Sequence, residues 1–344
     1  MVSQMARQYE LRWQNKTIAA SSDLRGVLVM GLLVAWFYFL WQLCTLPPFA
    51  AAAGHLPALL RFMLAKGNYM PDFAMIVAGF ACFHFFRQLR QGWDSKVAKQ
   101  VYLAVVIPLV AYLTLGLVLL EAVHYAGPTH GFVLPWQDPL MGIQFHVVAA
   151  AVIFAVLFPP FLFWMWNAEP DFGWSGIVLC LIYYGLTFHL KTHRLMWMWP
   201  PTAVVDFILG VSLCTSLFRA VEYIAPVRGP MIILGWLALL GGSIMAGESL
   251  FFLGFLMIVG GTALSERTWF LPGERLLLLW SRTSLAIALV QPAVLTGWLL
   301  WGGRAGISGL PAILSLAVGT QVLALVVTLI VTPPARRLMP VQPA

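Results

Sequence analysis

The chain has 344 residues, 61% of them hydrophobic and only 10% charged, against the roughly 25% charged residues of an average soluble domain. That balance argues against a soluble globular fold and predicts an all-α, polytopic membrane bundle. The net charge of +7 is what a membrane protein with cationic inner loops carries, and it calls for no nucleic-acid partner.

Residues 1–25 read as a cytoplasmic N-terminal segment. The apolar run that follows has no small-residue cleavage site, so it is expected to remain as the first span rather than leave as a signal peptide. Apolar runs between Pro, Gly and charged breaks predict about ten spans, because ~20 residues of helix cross a bilayer. Their expected limits are 26–46, 72–88, 100–121, 143–166, 173–189, 200–218, 229–246, 248–264, 277–301 and 309–332. Residues 26–332 thus form one transmembrane domain, and 333–344 a cytoplasmic tail. The loops 47–71 and 122–142, rich in Pro, Gly and aromatics, are expected to shape an outer vestibule.

Lys and Arg set the orientation. With the N-terminus inside, the cytoplasmic face receives Arg7, Arg12, Lys16, Arg25, the cluster Arg87, Arg90, Lys96 and Lys99, and Arg219, Arg228, Arg267, Arg275, Arg336 and Arg337. Arg61, Lys66, Lys191, Arg194 and Arg304 fall outside. This predicts an inner-membrane protein with both termini cytoplasmic. Cys44, Cys82, Cys180 and Cys214 stand singly in apolar segments and read as packing residues.

Three charges at or within spans, Arg25, Asp206 and Arg282, are costly at membrane depth and mark a cavity or a pair. Asp206 and Arg282 are candidates to pair with each other. His84, Arg87 and Arg90 fall three residues apart, on adjacent turns of one helix. His189 and His193 share a face, yet Lys191 and Arg194 beside them disfavour a cation, so no metal is expected.

Four segments carry a resemblance. Asp23-Leu24-Arg25-Gly26, Asp72-Phe73-Ala74-Met75-Ile76-Val77-Ala78-Gly79-Phe80, Asp206-Phe207-Ile208-Leu209-Gly210 and Ser281-Arg282-Thr283-Ser284-Leu285-Ala286 are similar, in order and approximate separation, to motifs of the acyltransferase-3 family. These are integral membrane O-acyltransferases that modify carbohydrates. The resemblance implies an acyl-CoA donor, a hydroxyl of an exported glycan or lipid-linked sugar as acceptor, and contact with membrane lipids. It places Arg25 at the donor or an acyl intermediate, and Asp206 and Arg282 at the substrate cavity. Arg87, Arg90 and Lys99 would attract the donor's phosphates.

The departures fall in one direction. The family's histidine about eleven residues after the first-span Arg is Trp36, whose indole nitrogen only donates and is no general base. The motif Ser is Ala78, the family's cations before Pro108 are Val101 and Ala104, and Tyr-Leu-Val-His reads Ala288-Leu289-Val290-Gln291. His84 is the candidate replacement base. Three functions follow: an O-acyltransferase; a catalytically silent relative serving as a membrane subunit, with a membrane protein partner, or as a glycan or lipid conduit; and a secondary transporter, for which paired broken helices are not evident.

Overall fold

The computed structural model describes residues 25–46, 49, 54, 56–86, 95–127, 172–189, 200–219, 225–245, 247–263, 283–302 and 309–338. Among these the chain is helical, without a strand. We number the α-helices α1 (Arg25–Thr45), α2 (Ala58–Leu64), α3 (Met70–Phe86), α4 (Ser95–Ala126), α5 (Phe172–His189), α6 (Pro200–Arg219), α7 (Arg228–Ile244), α8 (Glu248–Ala263), α9 (Ser284–Trp301) and α10 (Gly309–Leu338). Among the described residues two stretches, Ser284–Trp301 and Pro311–Val331, are long and apolar enough to cross a membrane.

Nine of the expected spans coincide with helices, and the expected span 143–166 lies outside the described residues. The short α2, within the expected 47–71 loop, had no counterpart in the apolar pattern because seven residues cannot span. Helix α4 starts earlier and ends later than expected, so Lys99 sits in a helix rather than a loop, and His124 belongs to its last turn. Lys66, expected on the outer surface, is buried, with its ammonium 5.9 Å from the centre of the Tyr69 ring. A cation lying over an aromatic face offsets part of its desolvation.

Helix α1 organises the bundle. It is apolar all round, as a helix enclosed by others should be. Val27, Met30, Val34 and Tyr38 pack into one core with α3, α5, α6 and α8; Leu32 and Ala35 join a second with α4, α9 and α10; Phe39 and Leu43 join a third with α9 and α10.

Contacts give relative directions. Gly31 of α1 faces Val77 of α3, while Trp41 sits on Gly67 in the turn before α3, so the two helices run antiparallel. Gly31 also faces Ser284, and Gln42 meets Gln291, so α1 and α9 run parallel. Gly116 lies against Leu289 and Gly127 against Leu300, which makes α4 parallel to α9 as well. The hydroxyls of Thr114, Thr215, Ser243, Thr262 and Thr328 each donate to the carbonyl four residues back. Such back-bonding is how a helix satisfies a hydroxyl without water.

Candidate functional site

Two of the motif-bearing segments meet where α3 crosses α6. A Cβ at Gly79 would overlap the Phe207 carbonyl, and one at Gly210 would overlap the carbonyl of Ile76. Only glycine permits this approach of two backbones. It sets Asp72, in the first turn of α3, beside Asp206 of α6.

Both carboxyls are buried, at 4% and 1% exposure. Their carboxyls lie within hydrogen-bonding reach of each other. Since a carboxylate only accepts, a hydrogen bond between them would need a proton on one of the two groups. The Tyr184 hydroxyl of α5 donates to Asp206 Oδ1, and the buried Oδ2 receives no hydroxyl, amide or ring N–H donor. Asp72 at the start of α3 also lies where the helix dipole favours negative charge.

An aromatic shell seals the pair. Phe73, next to Asp72, stacks on Phe255 with centroids 3.7 Å apart and also packs on Phe251 and Phe252. The Tyr184 ring lies 4.3 Å from that of Phe252. With the dielectric held low by these rings, sharing one proton leaves the pair with one charge in place of two.

A second buried polar group joins α1 to α9. Gln291 Nε2 donates to Gln42 Oε1 at 2.5 Å, and Gln42 Nε2 donates to the Tyr38 hydroxyl at 3.1 Å. Gln291 Oε1 is buried without a donor. Further along α9, the N-cap Thr283 accepts a 3.1 Å hydrogen bond from Gln321 of α10.

No protein-family profile, curated protein or solved structure matches the chain.

The expected site residues divide by where they fall. Arg25 opens α1 and His84 lies in the last turns of α3, and their side chains lie outside the described residues. The antiparallel register of α1 and α3 nevertheless puts their backbones at one level. Lys99 is in α4, its side chain also outside the described residues, as are Arg87, Arg90 and Arg282 altogether. The expected pairing of Asp206 with Arg282 involves a residue outside the described ones, while the neighbours Asp206 does show are Asp72 and Tyr184. Sequence reasoning quoted Asp72 only as part of a motif. A first-turn acid heading an apolar helix was the available signal.

Trp36 is half-buried. It meets Phe39 edge-on at 5.6 Å and packs into the two apolar cores that α1 shares with α9 and α10. Cys180 and Cys214 are buried and Cys44 half-buried, as expected of packing thiols; Cys82 lies outside the described side chains. Among the described residues no three His, Cys, Asp or Glu side chains are grouped to hold a metal ion.

Proposed function

We propose that the chain is an inner-membrane bundle of about ten spans, similar in architecture to the acyltransferase-3 proteins, that moves an acyl group from acyl-CoA to a hydroxyl of an exported glycan. The observation that carries this reading is the packing of α1 against both α3 and α9, which gathers the segments that bear the resemblance. It brings Gly31 against Val77 and Ser284, while α3 holds Asp72 against Asp206. The register of α1 and α3 adds that Arg25 and His84 stand at one end, where a guanidinium for the donor and an imidazole base would be needed together. Arg87, Arg90 and Lys99 would draw acyl-CoA to that end, and Arg282 would join Asp206 in shaping the cavity.

The membrane placement is supported by direction and by surface. Helices α1, α4 and α9 point the same way, as the first, third and ninth of alternating spans must, and α3 points the other way. Leu179, Ile182 and Leu186 of α5, Ile233 and Leu237 of α7, and Val318, Val322 and Leu329 of α10 are exposed. Apolar faces on so many helices suit contact with lipid.

Transfer of labelled acetyl or succinyl from acyl-CoA to membrane glycan, by the purified protein in vesicles, tests the reading. Loss of transfer in His84→Ala and Arg25→Ala variants that remain folded is expected. Vesicles that transfer no label with any donor would overturn it. A second reading, the catalytically silent relative that binds a membrane partner or conducts a glycan, is favoured by Trp36, since indole packed among Phe39 and aliphatic side chains replaces the family's base. Its mark would be a stoichiometric partner copurifying with an inactive protein.

A further inference from the structure

At the end of α1 opposite Arg25, a cavity of about 300 Å³ opens between the last turn of that helix and α2. This is at the lower limit of the ~300–1,000 Å³ typical of small-molecule sites. Its wall is mixed in character: the Trp41 indole, the Cys44 thiol, the Thr45 hydroxyl and the Arg61 guanidinium, with Leu56 and Leu64 among the apolar residues.

The wall is built rather than incidental. Trp41 lies flush on Gly67, where a Cβ would overlap its first side-chain carbons, and its ring stacks on Tyr38 at 5.7 Å with 27° between planes. The indole is therefore held before any ligand arrives, so little ordering is needed on binding. The Thr45 hydroxyl donates to the Gln42 carbonyl at 2.7 Å, which leaves its lone pairs as acceptors. Arg61 is exposed and contributes a fork of donors.

A fixed aromatic plane beside a hydroxyl acceptor and a guanidinium matches one ligand chemistry well. A pyranose ring has a C–H face that packs on an aromatic surface, an edge of hydroxyls that donate and accept, and, in acidic sugars, a carboxylate for Arg. The geometry points to this cavity as a saccharide-binding site, taking one sugar unit of a glycan with a preference for acidic units. The inference deepens the reading of the chain as a glycan-handling membrane protein and rests on it. It holds whether or not acyl transfer occurs.

Cys44 gives a native reporter. In the full chain in nanodiscs, with the other three cysteines replaced by Ser, the rate of Cys44 alkylation by a water-soluble maleimide is measured with cellohexaose, with an oligogalacturonate, and with neither. Protection by both, about tenfold stronger for the acidic oligomer, is expected. Arg61→Gln should abolish the difference between the two, and Trp41→Phe should keep protection while Trp41→Ala removes it. Alkylation unaffected by either oligosaccharide overturns the proposal, and so does protection by anionic lipid headgroups alone. Failure of acyl transfer with protection intact would remove only the enzymatic reading.

Discussion

Replacing the buried carboxyls one atom at a time separates a shared-proton pair from an ion. Two full charges in hydrogen-bonding contact repel by several kcal/mol even at an effective dielectric of ~20, so a doubly ionised Asp72–Asp206 pair is disfavoured in this site. With one proton between them, an amide reproduces what the protonated acid does: its N–H₂ donates to the remaining carboxylate. Asp72→Asn and Asp206→Asn should each change stability by no more than about 1 kcal/mol, because each keeps the hydrogen bond and loses no volume. Asp206→Ala removes the acceptor of the Tyr184 hydroxyl and the partner of Asp72 together. Its cost should be about 2–4 kcal/mol, the sum of a buried group stripped of its partner and a small cavity. Thermal inactivation half-lives in detergent, read by loss of the folded gel-filtration peak, give the ranking without requiring reversibility. If both Asn variants fall as fast as Asp206→Ala, an amide does not stand in for a protonated carboxyl here and the shared-proton reasoning is wrong.

Gly210→Ala should destabilise by about 1–3 kcal/mol, since its methyl meets backbone rather than a side chain that can swing aside, and the same half-life assay checks it. Gln291→Leu leaves Gln42 Oε1 without its donor and should cost about 1–2 kcal/mol, whereas Gln42→Leu with Gln291→Leu should recover most of that loss; a double variant no better than the single would contradict the pairing. Phe73→Ala opens the shell over the carboxyl pair and should cost about 3–5 kcal/mol by the same measure.

The helices were legible because apolar run length is a strong signal, and their ends were not, because α4 continues through Lys99 and His124, residues that read as loop by charge. Burial of Lys66 was hidden for a related reason: a cation counts as a surface residue until an aromatic ring such as Tyr69 is known to lie beneath it. Of the site, Asp206 stood out as a lone charge inside an apolar run. Its partner did not, since Asp72 sits where a helix start accounts for an acid, and no periodicity links residues on helices so far apart in sequence. The Gln42–Gln291 contact was equally invisible. Neutral amides in apolar runs carry no charge to flag them, yet their donors and acceptors must be matched once buried.

Trp36 is where the sequence comparison and the packing bear most directly on function, and a single reversion separates the two readings. Trp36→His removes a large side chain from between two apolar cores and edge contact with Phe39, which should cost about 2–4 kcal/mol of stability. An imidazole there would stand on the same helix as Arg25, three turns on, in surroundings that are apolar on two sides. Were the chain a silent relative whose remaining machinery is intact, the reversion would supply the missing base, and acyl transfer should rise from background despite the lower stability. Were His84 already the base, transfer should be present in the native chain and fall in the variant in step with the folded fraction. An enzyme that gains activity from the substitution while also losing it on His84→Ala would need both imidazoles, which neither reading allows.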